Sequence, residues 1–408
     1  MISNKKAQGL AILFTVTYIT SYITRINFGA IISEIESDTQ ISRTMLSMAV
    51  TGGFITYGIG QIVSGICGDY FSPKRLVKMG LTVSVIMNLL MMVSSHSYLM
   101  LAVWCINGFA QAFMWPPIVK IMVEVFSEDY YKKMAVRISW ASSYGTIIIY
   151  FIAPIIITLL NWRFVFLFSA ICGIVTIFIW DKYCIDIKKS RQTIQFPDKN
   201  TQKSANYILL SPVVIGIMIA IILQGMLRDG VTTWMPSYIS DTYHLGTAVS
   251  ILTGIVLPLF SIICTQISSI LYRKKIKNPV TCSVVMFLIG TVVAIILYYC
   301  SGNSAIISVI CSAVLTGAMH GVSSMLTAMV PPFFKKYGNV STVTGILNAC
   351  AYVGSGISTF VIALLSEKYG WHINLFIWCI IAIMGSLLCF CCIKPWKQLI
   401  QEKRSFTV

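Results

Sequence analysis

Apolar runs of membrane length recur along the chain, separated by short polar turns. Twelve are found, at 8–33, 45–68, 76–95, 98–124, 134–158, 162–180, 211–238, 246–270, 279–300, 304–328, 340–365 and 372–393. A helix crosses a bilayer core with about 20 such residues. The pattern predicts an all-α membrane protein with twelve transmembrane helices. The longest polar interruption, 181–210, contains DKYCIDIKKSRQTIQFPDKN. It is basic and without helical periodicity, so it reads as a linker. The expected organisation is a six-helix bundle at 1–180, a linker loop at 181–210, a second six-helix bundle at 211–393 and a tail at 394–408.

The two halves are weakly alike. Helix one carries Arg25 and helix seven carries Arg228, at similar depth. Helices five and eleven both set small residues among aromatics, in SWASSYG and ILNACAYVGSG, and helix two holds Gly52, Gly53, Gly58, Gly60, Gly65 and Gly68. Small residues let helices approach closely where lipid gives no hydrophobic drive to pack. Two six-helix halves joined by a basic loop resemble the plan of the major facilitator superfamily. That resemblance implies a substrate site between the halves near the midplane, exposed to alternate sides by rocking.

Composition agrees with the spans: 57% of residues are hydrophobic and only 11% charged, against about a quarter charged in soluble domains. The net charge of +16 would suit nucleic acid, but its placement points elsewhere. Both termini and the loops on their side hold 24 of the 30 Lys and Arg, whereas the opposite loops hold only Arg43, Arg163 and Lys368. This is the positive-inside asymmetry. It predicts a multi-pass plasma (inner) membrane protein with both termini in the cytoplasm, whose partners are the lipid bilayer and a small anion rather than nucleic acid. The expected state is a monomer. The 13 Cys show no CxxC and no Cys/His spacing for a metal, so they read as small hydrophobes; no metal or cofactor is expected. Lys5–Lys6 and the first apolar run lead into an Arg-bearing span without a cleavage-like site, so the first helix is expected to stay.

Arg25 and Arg228 are the sharpest features. A guanidinium costs roughly 2.5–3.5 kcal/mol at the centre of a membrane helix on insertion scales. Two at matched depth call for an anion, and a phosphoryl group suits the planar fork. Tyr22 and Tyr18 precede Arg25 on its own helix face, and Gln224 stands one turn before Arg228. In NGFAQAFMWPP, Asn107, Gln111 and Trp115 follow at four-residue spacing, and Pro116–Pro117 predict a kink. Trp140 and Tyr144 share a face of helix five. All of these are candidate cavity residues, with helix packing as the competing role. In GDYFSPKR, Asp69 is a candidate conformational latch through a basic group or a helix terminus, with Arg75 as its expected cation. Of the 14 carboxylates, Asp229 alone lies well inside a span. With only Asp229 and His320 as candidate proton carriers, exchange of one anion for another is easier to build than proton coupling.

Four segments resemble the organophosphate:phosphate antiporter family, which includes bacterial glycerol-phosphate and hexose-phosphate transporters. They are YITRINF (22–28), GQIVSGICGDYFSPKR (60–75), NGFAQAFMWPP (107–117) and LRDGVTTWMPSYI (227–239), and they span both halves. The resemblance implies that Arg25 and Arg228 clamp the phosphoryl group, that Tyr18, Tyr22, Gln111, Trp115 and Gln224 line the cavity, and that a phosphate ester exchanges for inorganic phosphate. Two positions depart from the glycerol-phosphate members. Gln61 stands where they carry a Lys and Tyr144 where they carry a His, so another ester or a phosphonate is as suitable. The expected function is therefore secondary transport, exchanging an organic phosphate for phosphate. One rival is a symporter of sugar acids or other carboxylates, whose relatives show an acid where Thr24 stands. Another is a transporter-like sensor of sugar phosphate. An enzyme is the poorest fit, since His96, His244, His320 and His372 are dispersed and no His/Asp/Glu cluster gathers at one face.

Overall fold

A computed structural model describes residues 4–41, 43–186, 209–244, 256–337 and 339–405. Most of the expected linker (187–208) and the start of the expected eighth span (245–255) lie outside the described residues. The described residues are helical almost throughout, and twelve of their helical segments are long and apolar enough to cross a membrane. The chain divides into two compact units. Unit 1 comprises Met1–Asp198 with Pro331–Ala349, and unit 2 comprises Lys199–Val330 with Cys350–Val408. The first division falls between 198 and 199, and the segment that opens the eleventh span is grouped with the first unit.

Unit 1 contains α1 (Asn4–Ala30), a short α2 (Ile32–Thr39), α3 (Arg43–Tyr70), α4 (Pro73–Val93), α5 (Ser97–Gln111), α6 (Trp115–Val125), α7 (Glu128–Ser139), α8 (Ala141–Leu159) and α9 (Arg163–Tyr183). The kink expected in the fourth span is a full break. Helix α5 stops at Gln111, and α6 restarts at Trp115 with Pro116 and Pro117 in its first turn. Prolines suit that position because first-turn amides have no intrahelical acceptor. The apolar core of the unit gathers around Phe28, Trp104, Trp162 and Phe166, with Phe28 and Trp104 ring centroids 5.1 Å apart.

Unit 2 contains α10 (Pro212–Tyr243), α11 (Val256–Leu271), α12 (Pro279–Cys300) and α13 (Ala305–Ser323). Helix α14 (Val340–Tyr369) begins in unit 1 and continues in unit 2, and α15 (Trp371–Ser405) runs on through Pro395 into the expected tail. Asn278 caps α12 by accepting from the amides of Val280 and Thr281, at 2.9 and 3.3 Å.

The two units repeat one packing scheme. The second span packs on the fourth (α3 on α5; α11 on α13), and the third packs on the sixth (α4 on α9; α12 on α15). The first packs on the sixth in both (α1 on α9; α10 on α15). First and fifth spans meet through glycine. A Cβ at Gly145 would strike the Ile19 carbonyl and Tyr22, and one at Gly225 would strike the Ala351 carbonyl. These are the close approaches that the small residues of helices five and eleven predict.

Candidate functional site

In unit 1 the expected helix-one face is assembled. Tyr18 packs edge-on against Tyr22, centroids 5.3 Å apart, and against Trp115 at 5.1 Å. The Arg25 guanidinium carbon lies 4.2 Å from the Tyr22 ring centroid and 4.5 Å from that of Tyr57 on α3. A cation over an aromatic face is attracted by the ring quadrupole. Tyr57 is buried and was not singled out by sequence, because TYGIG reads there as part of a glycine-rich packing face.

Directly behind this face is a polar belt. Gln111 accepts from Ser21 Oγ at 2.6 Å and donates to Thr24 Oγ1 and Ser84 Oγ, each at 2.7 Å. Asn107 accepts from Ser84 Oγ at 2.7 Å and donates to the Thr24 carbonyl at 3.0 Å. Asn88 donates to the same carbonyl at 3.0 Å, and Asn27 donates to Asn88 and to Ser169 at 2.8 and 2.9 Å. The belt ties α1 to α4, α5 and α9. Gln111, expected to line a cavity, is instead fully buried with its amide spent on three hydroxyls. Its role here is to hold helices together and to fix the register of the Arg25 helix. Four-residue spacing along α5 could not reveal this, since the hydroxyls come from other helices.

Trp140 sits at the junction of α7 and α8, and its buried indole Nε1 has no hydrogen-bond partner among the described residues. Tyr144, one turn on, is 40% exposed. Gln61 is buried and reaches the Ala112 carbonyl at 3.4 Å, at the break in the fourth span, while accepting from Asn348 at 3.2 Å.

Asp69 makes the contacts of a helix cap. Its oxygens accept from the amides of Ser341 and Thr342, at 3.0 and 2.7 Å, at the start of α14. A carboxylate there satisfies first-turn amides and complements the helix dipole. The cation on Asp69 is Lys120 of α6, at 3.1 Å. Arg75, expected in that place, is exposed. It lies six positions along the same turn, but Pro73 starts α4 immediately after that turn and carries Arg75 outward.

In unit 2 the setting of the second arginine differs. Arg228 Nε and Nη2 donate to the two carboxylate oxygens of Asp229, both at 2.7 Å. Ser355 of α14 also donates to Asp229. The Arg228 and Asp229 side chains are 13% and 31% exposed. Gln224, one turn earlier, is 0% exposed, and among the described residues neither its Nε2 nor its Oε1 has a hydrogen-bond partner. Gln224, a candidate cavity residue in the sequence, is thus enclosed within α10's surroundings one turn before Arg228.

A family model described as Major Facilitator Superfamily matches residues 14–324. The glycerol-3-phosphate transporter of Bacillus subtilis is 23% identical over 407 residues, covering 90% of this chain and 88% of that protein. The membrane sensor protein UhpC of Salmonella typhimurium is 22% identical over 245 residues, 55% of each chain. Among solved structures, the proton:xylose symporter XylE bound to 6-bromo-6-deoxy-D-glucose superposes with a TM-score of 0.77 at 12% identity, covering 95% of both chains. At that identity it speaks for the fold.

Proposed function

The chain belongs to the major facilitator superfamily, and from that premise we propose that it is a secondary transporter exchanging an organic phosphate ester or phosphonate for inorganic phosphate by alternating access. One observation carries the reading. Arg25 lies inside a membrane span with its charge held over the Tyr22 and Tyr57 rings, in a chain similar over most of its length to a glycerol-3-phosphate transporter. An aromatic cradle helps to hold a cation inside a span, and a guanidinium pairs bidentately with a phosphoryl group.

In this reading Arg25 in the first unit and Arg228 in the second are phosphate-binding groups. Tyr18, Tyr22, Tyr57, Trp115, Trp140 and Tyr144 are the substrate-binding residues that accompany Arg25 in its unit, and Gln224 is the one that accompanies Arg228. Asp69 is the conformational latch, acting through the α14 N-terminus and Lys120. The protein lies in the plasma membrane with both termini in the cytoplasm, following the charge asymmetry.

The test is exchange by purified protein in proteoliposomes loaded with radiolabelled phosphate. Efflux should need an external phosphate compound and should be unaffected by sugar acids. Efflux driven by sugar acids would favour the carboxylate symporter. Tight binding of phosphate esters with no flux at all would favour a sensor, a second reading that the likeness to UhpC supports.

A further inference from the structure

Arg228 and Asp229 are consecutive on α10, and consecutive helical side chains do not face each other. The arginine nonetheless bends sideways, and its Nε–Nη2 edge meets both carboxylate oxygens at 2.7 Å. Ser355 donates to the same carboxylate from α14. Two elements of unit 2, α10 and α14, therefore hold the acid against the arginine. One turn before it, the buried amide of Gln224 has neither donor nor acceptor satisfied, a costly state that a bound group with both functions would relieve.

We propose that Asp229 makes the site selective for phosphate compounds bearing one net negative charge, namely phosphodiesters and ammonium-bearing phosphate monoesters, over dianionic monoesters. This rests on Arg228 as a phosphate-binding group, as read above. A phosphoryl group reaching Arg228 meets a cation already balanced by a neighbouring carboxylate, with its side-on edge occupied. A dianion there suffers like-charge repulsion, whereas a monoanion suffers less. An ammonium or hydroxyl on the ligand gains Asp229 as an acceptor, and Gln224 can serve a phosphoryl oxygen and a donor together. Inorganic phosphate is then carried as its monoanion.

The experiment uses the full-length protein in proteoliposomes loaded with radiolabelled phosphate, at pH 8. Efflux is driven by external glycerol 3-phosphate or glucose 6-phosphate as dianions, and by phosphoethanolamine or glycerophosphoglycerol as compounds of one net charge. Wild type should favour the second pair. Asp229→Asn, with Asp229→Ser as a second variant, should shift the ratio toward dianions by about tenfold, equal to about 1.4 kcal/mol. A wild type that prefers dianions overturns the inference, whatever the variants do. So does a ratio unchanged in a variant that still exchanges. If wild type moves none of the four, the transport reading itself fails, which is a separate result.

Discussion

Arg25 and Arg228 occupy matching places in a repeated packing scheme, yet their surroundings are of opposite kinds. Arg25 lies on the faces of Tyr22 and Tyr57, and behind it every amide of the Asn–Gln belt finds a partner. Arg228 is joined to a carboxylate, and the amide beside it has no partner. An aromatic face attracts a cation through its ring quadrupole, whereas a carboxylate pairs with it charge to charge. In the first unit the guanidinium rests on two aromatic rings, from α1 and α3. In the second the guanidinium is paired with a neighbouring carboxylate. A repeat in backbone has therefore been given two electrostatic characters.

The largest expected effect separates the arginines directly. Arg25→Lys should lower exchange by about a hundredfold, since loss of the planar fork misplaces the phosphoryl group. Arg228→Lys should cost about tenfold, because an ammonium keeps an ion pair with Asp229 while losing the bidentate geometry. Initial rates of phosphate exchange decide it, and equal losses would mean that the two arginines act alike.

Next come the two glutamines. Gln111→Leu removes three hydrogen bonds worth about 0.6 kcal/mol each in membrane interiors, so stability should fall by about 2 kcal/mol. Gln224→Leu removes an unsatisfied buried amide, so the ligand-free protein should gain about 1 kcal/mol while losing affinity for phosphate compounds. Thermal unfolding in detergent with and without phosphate checks both, and a destabilised Gln224→Leu would mean that its amide is engaged.

Tyr57→Leu tests the cradle. Loss of one cation–π contact should cost about 1 kcal/mol, seen as a roughly fivefold rise in KM. The smallest effect lies outside the spans, at Asp38. Hydrogen bonds from Trp162 Nε1 and Arg163 Nη1 hold its carboxyl below the ordinary carboxylate range. A depressed folded-state pKa stabilises the fold above the unfolded value of about 3.9 and ceases to do so as pH falls through the lower folded one. Asp38→Asn should thus lower Tm slightly at pH 7 and leave it unchanged under strongly acidic conditions. Solvent screens this exposed pair, so the shift should be smaller than for any variant above.

The spans, the repeat and both arginines were legible because each is written in local chemistry: run length, small-residue spacing, and a charge where none should be. What could not be read was which distant residue completes each group. Asp69 shows why. Its sequence neighbours offered Arg75, but the cation is Lys120 and the other partners are backbone amides at 341 and 342. Tyr57 was hidden by glycines that were correctly assigned to packing. Gln111 was placed on the right helix, but its three partners sit on α1 and α4, and only the fold brings them to it.

The belt of Asn27, Asn88, Asn107 and Gln111 has a consequence for how the protein is made. Each of its helices enters the membrane carrying polar groups that lipid cannot solvate. None is at ease alone, and a shift of one position along any of them strands its amides in hydrocarbon. Helices α1, α4 and α5 should accordingly leave the insertion machinery as a group already in alignment. A lesion in this region would then act during synthesis, by depleting the protein, before transport is ever impaired.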